Sequence, residues 1–155
     1  MTAAALAALV VRFGLVMLFL PFSALDKIIN FGSAVAQAAD VFRPPSLATA
    51  VVAGGLAVEI VLPLCVLTGM ADRAAALLMA GYCAATALLF KRFWKRQGFW
   101  QAGTSPARDL FWGFTKNLSL GAGFLLITVG PDGHGLGPFL ARPFASSHPY
   151  GGYRP

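Results

Sequence analysis

Apolar residues fall in four long runs, and short stretches between the runs hold most of the charged residues. A bilayer-spanning helix needs about 20 apolar residues, so each run predicts one transmembrane helix. The runs cover residues 3–25, 47–69, 74–90 and 110–130. Residues 131–155 contain five Pro and five Gly and predict irregular structure. The pattern therefore predicts an all-α, integral membrane four-helix bundle over 1–130 and a Gly/Pro-rich C-terminal tail.

A few polar residues interrupt the runs, above all Arg12 in the first and Glu59 in the second. Charges in lipid are costly alone and normally face the bundle interior, paired with one another or lining a cavity. Counted along their runs, Arg12 and Glu59 lie at similar depths, which predicts that they pair. Two interpretations stay open: a structural ion pair that fixes helix register, or a polar pocket that holds a quinone headgroup or relays a proton.

Lys116 and Asn117 lie near the start of the fourth run. The lysine is close enough to the membrane surface for its ammonium group to snorkel outward. The alternative is that Asn117 turns inward and hydrogen-bonds across helices. Neither interpretation requires a ligand.

Composition agrees with the pattern, because 57% of the residues are hydrophobic and only 12% are charged. Soluble domains are about a quarter charged, so a soluble protein is excluded. The loops 26–46 and 91–109 hold seven Lys and Arg residues, against three on the other side of the predicted bundle. The positive-inside rule then places both loops in the cytoplasm and both termini outside, in a bacterial plasma (inner) membrane. The first run has no Lys or Arg ahead of Arg12, so we do not expect a cleaved signal peptide.

The loop 91–109 interleaves basic and aromatic residues, as single-stranded nucleic-acid sites do. Its position between two spans instead favours an interfacial anchor that contacts anionic lipid headgroups, or a surface for a partner. We expect no nucleic acid as a partner. Small residues in the runs favour close helix packing, with homo-oligomer contacts as the alternative. Two isolated cysteines and two histidines in the tail predict neither a disulfide nor a metal site.

The tail carries four aromatic residues in a segment too rich in Pro and Gly to fold alone. They are Phe139, Phe144, Tyr150 and Tyr153. A neighbouring subunit that these side chains contact is therefore the predicted source of order in the tail.

The succession of short motifs along the chain resembles the DoxX/DoxD family of small four-span membrane proteins. The motifs are Arg12-Phe13-Gly14-Leu15, Phe22-Ser23-Ala24-Leu25-Asp26-Lys27, Glu59, Leu67-Thr68-Gly69-Met70-Ala71-Asp72-Arg73, Ala85-Thr86-Ala87-Leu88-Leu89-Phe90-Lys91-Arg92-Phe93-Trp94 and Thr115-Lys116-Asn117-Leu118-Ser119-Leu120-Gly121. The resemblance covers residues 8–131. Lys91 stands where the family often has His, and the long tail lies outside the family pattern.

The resemblance implies quinone-linked redox work at the membrane. Some members are similar to the small subunit of a thiosulfate:quinone oxidoreductase, and others accompany redox enzymes or oxidative-stress systems. Carried over to this chain, the candidate residues for a quinone or polar pocket are Arg12, Lys27, Glu59, Lys116 and Asn117.

Three hypotheses follow for the function. The first is an accessory subunit, not catalytic alone, that anchors or supports a quinone-linked redox enzyme. The sequence contains no ligand set for haem or an iron–sulfur cluster, so a partner subunit would supply the electrons and a quinone is the candidate ligand. The second is a small transporter or channel, with Pro63 near Glu59 as the hint of a broken helix. The third is a purely structural assembly factor.

Overall fold

The protein, seen in a computed structural model that describes residues 2–130 and 136–151, consists of helices and turns. The described residues contain no β-strand. The helices are α1 (Ala3–Val16), α2 (Ala24–Ile29), α3 (Phe31–Ala39), α4 (Pro45–Thr68), α5 (Asp72–Phe90), α6 (Pro106–Val129) and α7 (Gly137–Ala141), with a π-helical turn at Leu18–Ser23 and a 3-10 turn at Phe93–Lys95.

Four helical segments are long and apolar enough to cross a membrane. They are Ala3–Ile29, Pro45–Thr68, Asp72–Lys95 and Pro106–Val129. Large apolar side chains such as Val10, Leu78 and Leu126 point outward and are more than half exposed. Such a surface suits lipid rather than water. The predicted all-α fold with four spans is confirmed.

The core of the bundle lies where α1, α4, α5 and α6 meet. Val16, Val66, Met79 and Phe124 are almost completely buried there. Helices α5 and α6 pack closely at Gly121, where an added Cβ would lie 3.4 Å from the backbone oxygen of Ala80. Small residues permit such approach in lipid. This packing fixes the positions of the polar side chains described below.

The first span is one long helical segment with a π turn inside it. Pro21 lies in that turn. Proline has no N–H to donate and its ring clashes with the preceding turn, and a wider π turn accommodates both defects. Ser23 and Lys27 follow directly on the inner side of the bundle, where both line a cavity.

The loop 26–46 is more helical than its polar, breaker-rich composition predicts. Helix α2 continues to Ile29, and α3 follows after Asn30. Ala38 of α3 is buried against Ala48 and Val52 of α4, and this tertiary packing outweighs the weak local pattern. The proline pair does end the loop, since Pro45 takes the first turn of α4, where a missing N–H costs nothing.

The link between α4 and α5 is also shorter than predicted. Asp72 and Arg73 form the first turn of α5 rather than a polar turn, and Asp72 is fully buried. Helix α4 ends at Gly69, whose φ of +80° is the left-handed cap that glycine adopts without strain. Helix α4 is also continuous through Pro63, so the break predicted under the transporter hypothesis is not present.

The tail is not wholly irregular, because it contains the short helix α7. Beyond α7, Ser147 and Tyr150 return to the end of the bundle and bond to its residues. The described part of the tail therefore contacts its own bundle, and its contact with a neighbouring subunit stays a prediction. His134 and Tyr153 lie outside the described residues.

Candidate functional site: a cavity with a buried ion pair

Glu59 is paired with Lys27 in the interior of the bundle. The Lys27 Nζ atom lies 2.6 Å from Glu59 Oε1 and 2.7 Å from Oε2. It also donates to the Ser23 hydroxyl at 2.8 Å, one helical turn earlier in the chain. The side chain of Glu59 is only 3% exposed, whereas that of Lys27 is 24% exposed. The carboxylate is thus enclosed, and the ammonium group faces open space.

Tyr82 of α5 completes the coordination of the carboxylate. Its hydroxyl donates to Glu59 Oε1 at 2.8 Å. Gly55, one turn before Glu59, makes room for this contact, because a Cβ there would lie 3.1 Å from the Tyr82 hydroxyl oxygen. Two donors from two other helices therefore hold one acid of α4.

These groups line a cavity of about 470 Å³ between α4, α5 and the first span. Most of the wall is apolar and includes Leu18, Phe19, Val51, Val52, Leu89 and Phe90. Pockets for small organic ligands have volumes of about 300–1,000 Å³, with a few polar groups on an apolar wall. The cavity has the size and the lining of such a pocket.

A second polar pair lies on the α5–α6 side of the cavity. The Asn117 amide donates to the Thr86 hydroxyl at 3.2 Å, and both side chains line the cavity. Asn117 thus turns inward and bonds across helices, as one of the two interpretations predicted. Lys91 also lines the cavity, and its aliphatic stem lies over Gly113.

Arg12 does not pair with Glu59, so that prediction is wrong. Its guanidinium Nη2 lies 2.6 Å from Asp72 Oδ2, and Nη1 donates to the Val66 carbonyl at 2.6 Å. Val66 is seven residues beyond Glu59 on α4, about 10 Å along the helix axis at 1.5 Å per residue. The pairing of Arg12 with Glu59 assumes that the first two spans begin at the same level. In the structure α1 is displaced towards the α4–α5 link, so Arg12 lies beside Val66.

The Arg12–Asp72 pair is sealed by the tail. Ser147 donates its backbone N–H to Asp72 Oδ1 at 2.9 Å, and its hydroxyl contacts both Asp72 and the guanidinium. Tyr150 donates its hydroxyl to the carbonyl of Leu67. Arg12 is therefore part of a closed structural cluster away from the cavity.

The remaining candidate residues are divided between surface and interior. Lys116 is exposed, consistent with snorkelling, and it does not line the cavity. Among the tail aromatics, Phe139 is buried and the Tyr150 hydroxyl is bonded within the chain, while Phe144 is 76% exposed. Contact of these side chains with a partner stays a prediction.

Sequence reasoning missed Tyr82, Thr86 and Asp72. The third run has no charged residue, and the Tyr82 and Thr86 hydroxyl groups are the hydrogen-bond donors in it that could have indicated a partner for Glu59. The sequence places Asp72 in a polar turn. The overlooked signal was Arg12, because an arginine within a membrane span needs an acidic partner and Asp72 lies at the end of a neighbouring span. The described residues contain no cluster of three or more His, Cys, Asp or Glu side chains that could hold a metal ion.

The family model for DoxX matches residues 7–92, which is more than half of the chain. The chain belongs to the DoxX family. The part matched to DoxX contains Lys27, Glu59 and Tyr82, while Asn117 and the tail lie beyond it. Neither curated proteins nor solved structures give a match to the chain.

Family and fold together describe a multi-pass membrane protein of the DoxX family. Its four helical segments are long and apolar enough to span a membrane, and all four contribute residues to the wall of the cavity.

Proposed function

We propose that the protein is a membrane accessory subunit that supports a quinone-linked redox enzyme, and that its cavity receives the quinone headgroup. The observation that carries the proposal is the cavity itself, an apolar space with Lys27, Glu59 and Tyr82 on its wall. In this proposal the protein has no catalytic residues of its own, and its role is to bind and position.

The chemistry of the wall fits a quinone. A quinone headgroup is a flat apolar ring with two carbonyl oxygens, and these oxygens accept hydrogen bonds. The Asn117 amide has a second N–H beyond the one that it donates to Thr86. The Lys27 ammonium group, whose N–H groups bond to Glu59 and Ser23, adds positive charge to the wall. The apolar side chains Leu18, Phe19 and Leu89 provide surface for the ring and the first isoprenoid units.

The ion pair makes one side of the wall polar, and the pair itself has no net charge. Glu59 balances the charge of Lys27, so a neutral ligand meets a dipole there, while Lys91 adds one cation elsewhere on the wall. A bound quinone would serve as the acceptor for electrons delivered by the partner enzyme. The residues of this chain would bind its oxygens and keep the ring at a fixed depth.

Purification from native expression levels in mild detergent, followed by mass spectrometry of proteins, lipids and quinones, tests the proposal. We expect a dehydrogenase or oxidase subunit in stoichiometric amount, together with quinone. Glu59→Gln should lower the quinone content severalfold and leave the partner in place. The matched control is Lys116→Gln, which changes an exposed polar residue of α6 and should leave both unchanged. A lone chain without quinone would contradict the proposal.

Deletion of residues 136–155 tests whether the tail docks the partner enzyme. The exposed Phe144 gives the point variant, since Phe144→Ala removes an accessible ring without disturbing the Ser147 contacts. If the tail docks the partner, both changes lower recovery of the partner. Unchanged recovery would remove the tail from the proposed interface.

A further inference from the structure

A second recess lies at the loop end of the bundle, beside the cavity. It has a volume of about 530 Å³ and shares Gln37, Leu89 and Phe90 with the cavity. Its outer wall is formed by the segment just after α5, where Arg92, Lys95 and Arg96 all line it.

The recess carries an excess of positive charge. Asp40 is the one acid on its wall, against three basic side chains. Among the described residues, none of these four side chains forms an ion pair or a hydrogen bond. Arg92 is half-buried, and among the described residues no carboxylate lies within salt-bridge distance of it. Three basic groups against one acid leave an excess of positive charge in the recess, which favours a bound anion.

The surroundings place the recess at the level of lipid headgroups. Helix α5, an apolar span, ends at Phe90 directly inside it. The neighbouring Phe93 packs edge-on against Trp94, Phe111 and Phe114 at centroid distances of 5.1–5.5 Å. Aromatic clusters of this kind mark the membrane–water interface.

We propose that this recess binds the phosphate group of an anionic phospholipid. Guanidinium groups match phosphate oxygens with paired hydrogen bonds, and a lysine adds a compact charge. The acyl chains would extend along the apolar surface of α5, where Leu88 is 55% exposed. The charged groups of this lipid site are separate from those of the quinone proposal, because Arg92, Lys95 and Arg96 do not line the cavity, and the two spaces share only uncharged residues.

Native mass spectrometry of the detergent-purified full chain tests the site. We add phosphatidylglycerol or phosphatidylcholine in equal amounts and compare the retained adducts. Wild-type protein should retain one phosphatidylglycerol at least fivefold more than phosphatidylcholine. Arg92→Gln should reduce that preference to near unity. The control is Arg43→Gln, which removes an equal charge from an exposed residue that does not line the recess.

A second variant and a competition with inorganic phosphate complete the test. If Arg92→Gln does not fold, the double variant Lys95→Gln/Arg96→Gln changes only exposed side chains and should lose the preference equally. Inorganic phosphate in millimolar excess should not displace the lipid, whereas displacement would show a site for free phosphate and overturn the proposal. Equal lipid retention by the Arg92→Gln and Arg43→Gln variants would also overturn it.

Discussion

The two buried ion pairs of the bundle have the same length and different surroundings. Arg12 and Asp72 lie 2.6 Å apart with side chains 8% and 0% exposed, and Lys27 and Glu59 lie 2.6 Å apart with side chains 24% and 3% exposed. The first pair is enclosed by its own chain, and the second opens onto a cavity.

This difference separates a structural role from a binding role. Arg12 and Asp72 bond to each other, and both bond to Ser147. Arg12 also donates to the Val66 carbonyl. Lys27 binds Glu59 and Ser23 but keeps part of its surface towards the cavity. The enclosed pair should therefore govern stability, and the open pair should govern ligand binding as well.

The largest expected effect is on stability, from Asp72→Asn. The change leaves the Arg12 charge buried without a counterion, which typically costs about 3–5 kcal/mol. We expect a large fall in the thermal midpoint and poor recovery by size-exclusion chromatography. Asp40→Asn is the control, since Asp40 is exposed and has no ion pair among the described residues. Equal midpoints for the two variants would contradict the structural role.

Glu59→Gln should cost less stability, about 2–3 kcal/mol, because Lys27 remains partly hydrated when its counterion is lost. Its effect on ligand binding should be the larger one. The measurement combines the thermal midpoint with the quinone content of the purified protein. A variant with a normal quinone content despite a lowered midpoint would assign the open pair to structure alone.

Ser147→Ala tests whether the tail seals the enclosed pair. The change removes a hydroxyl that contacts both Arg12 and Asp72, and we expect a loss of about 1–2 kcal/mol. Quinone content should not change, since Ser147 does not line the cavity. The same thermal and quinone assays apply, and a fall in quinone content would show that the two regions are coupled.

Tyr82→Phe should have the smallest effect, about 1 kcal/mol, because it removes one hydrogen bond to Glu59 and keeps the ring. The edge contact of that ring with Phe19, at 6.4 Å between centroids, is retained. Thermal unfolding measures the loss. A loss as large as that of Glu59→Gln would mean that the hydroxyl, rather than Lys27, holds the acid.

The sequence predicts the four spans well, because a long apolar run has few alternatives to a transmembrane helix. It also identifies Glu59 as an inward-facing residue, because a charged group in lipid is costly wherever its helix packs. The inward orientation of Asn117 was one of two interpretations left open. Helix α3 escaped prediction because tertiary packing of Ala38 stabilises it.

The partners of the charged residues are harder to predict than the spans. A pairing depends on the axial offset between helices, and α1 is displaced by about 10 Å from the level assumed for Arg12 and Glu59. The cavity depends further on Gly55, which gives the Tyr82 hydroxyl room to reach the acid. Such offsets and close approaches are set by the whole bundle rather than by any one run.

The central claim is that the open pair binds a quinone and the enclosed pair does not. Its most direct test is a titration of purified protein with a short-chain ubiquinone analogue, following the rise in thermal midpoint for the wild type, Glu59→Gln and Ser147→Ala. We predict saturable stabilisation of the wild type and of Ser147→Ala with the same midpoint concentration, and at least tenfold weaker binding by Glu59→Gln. Equal binding by all three proteins, or loss of binding in Ser147→Ala alone, would contradict the account.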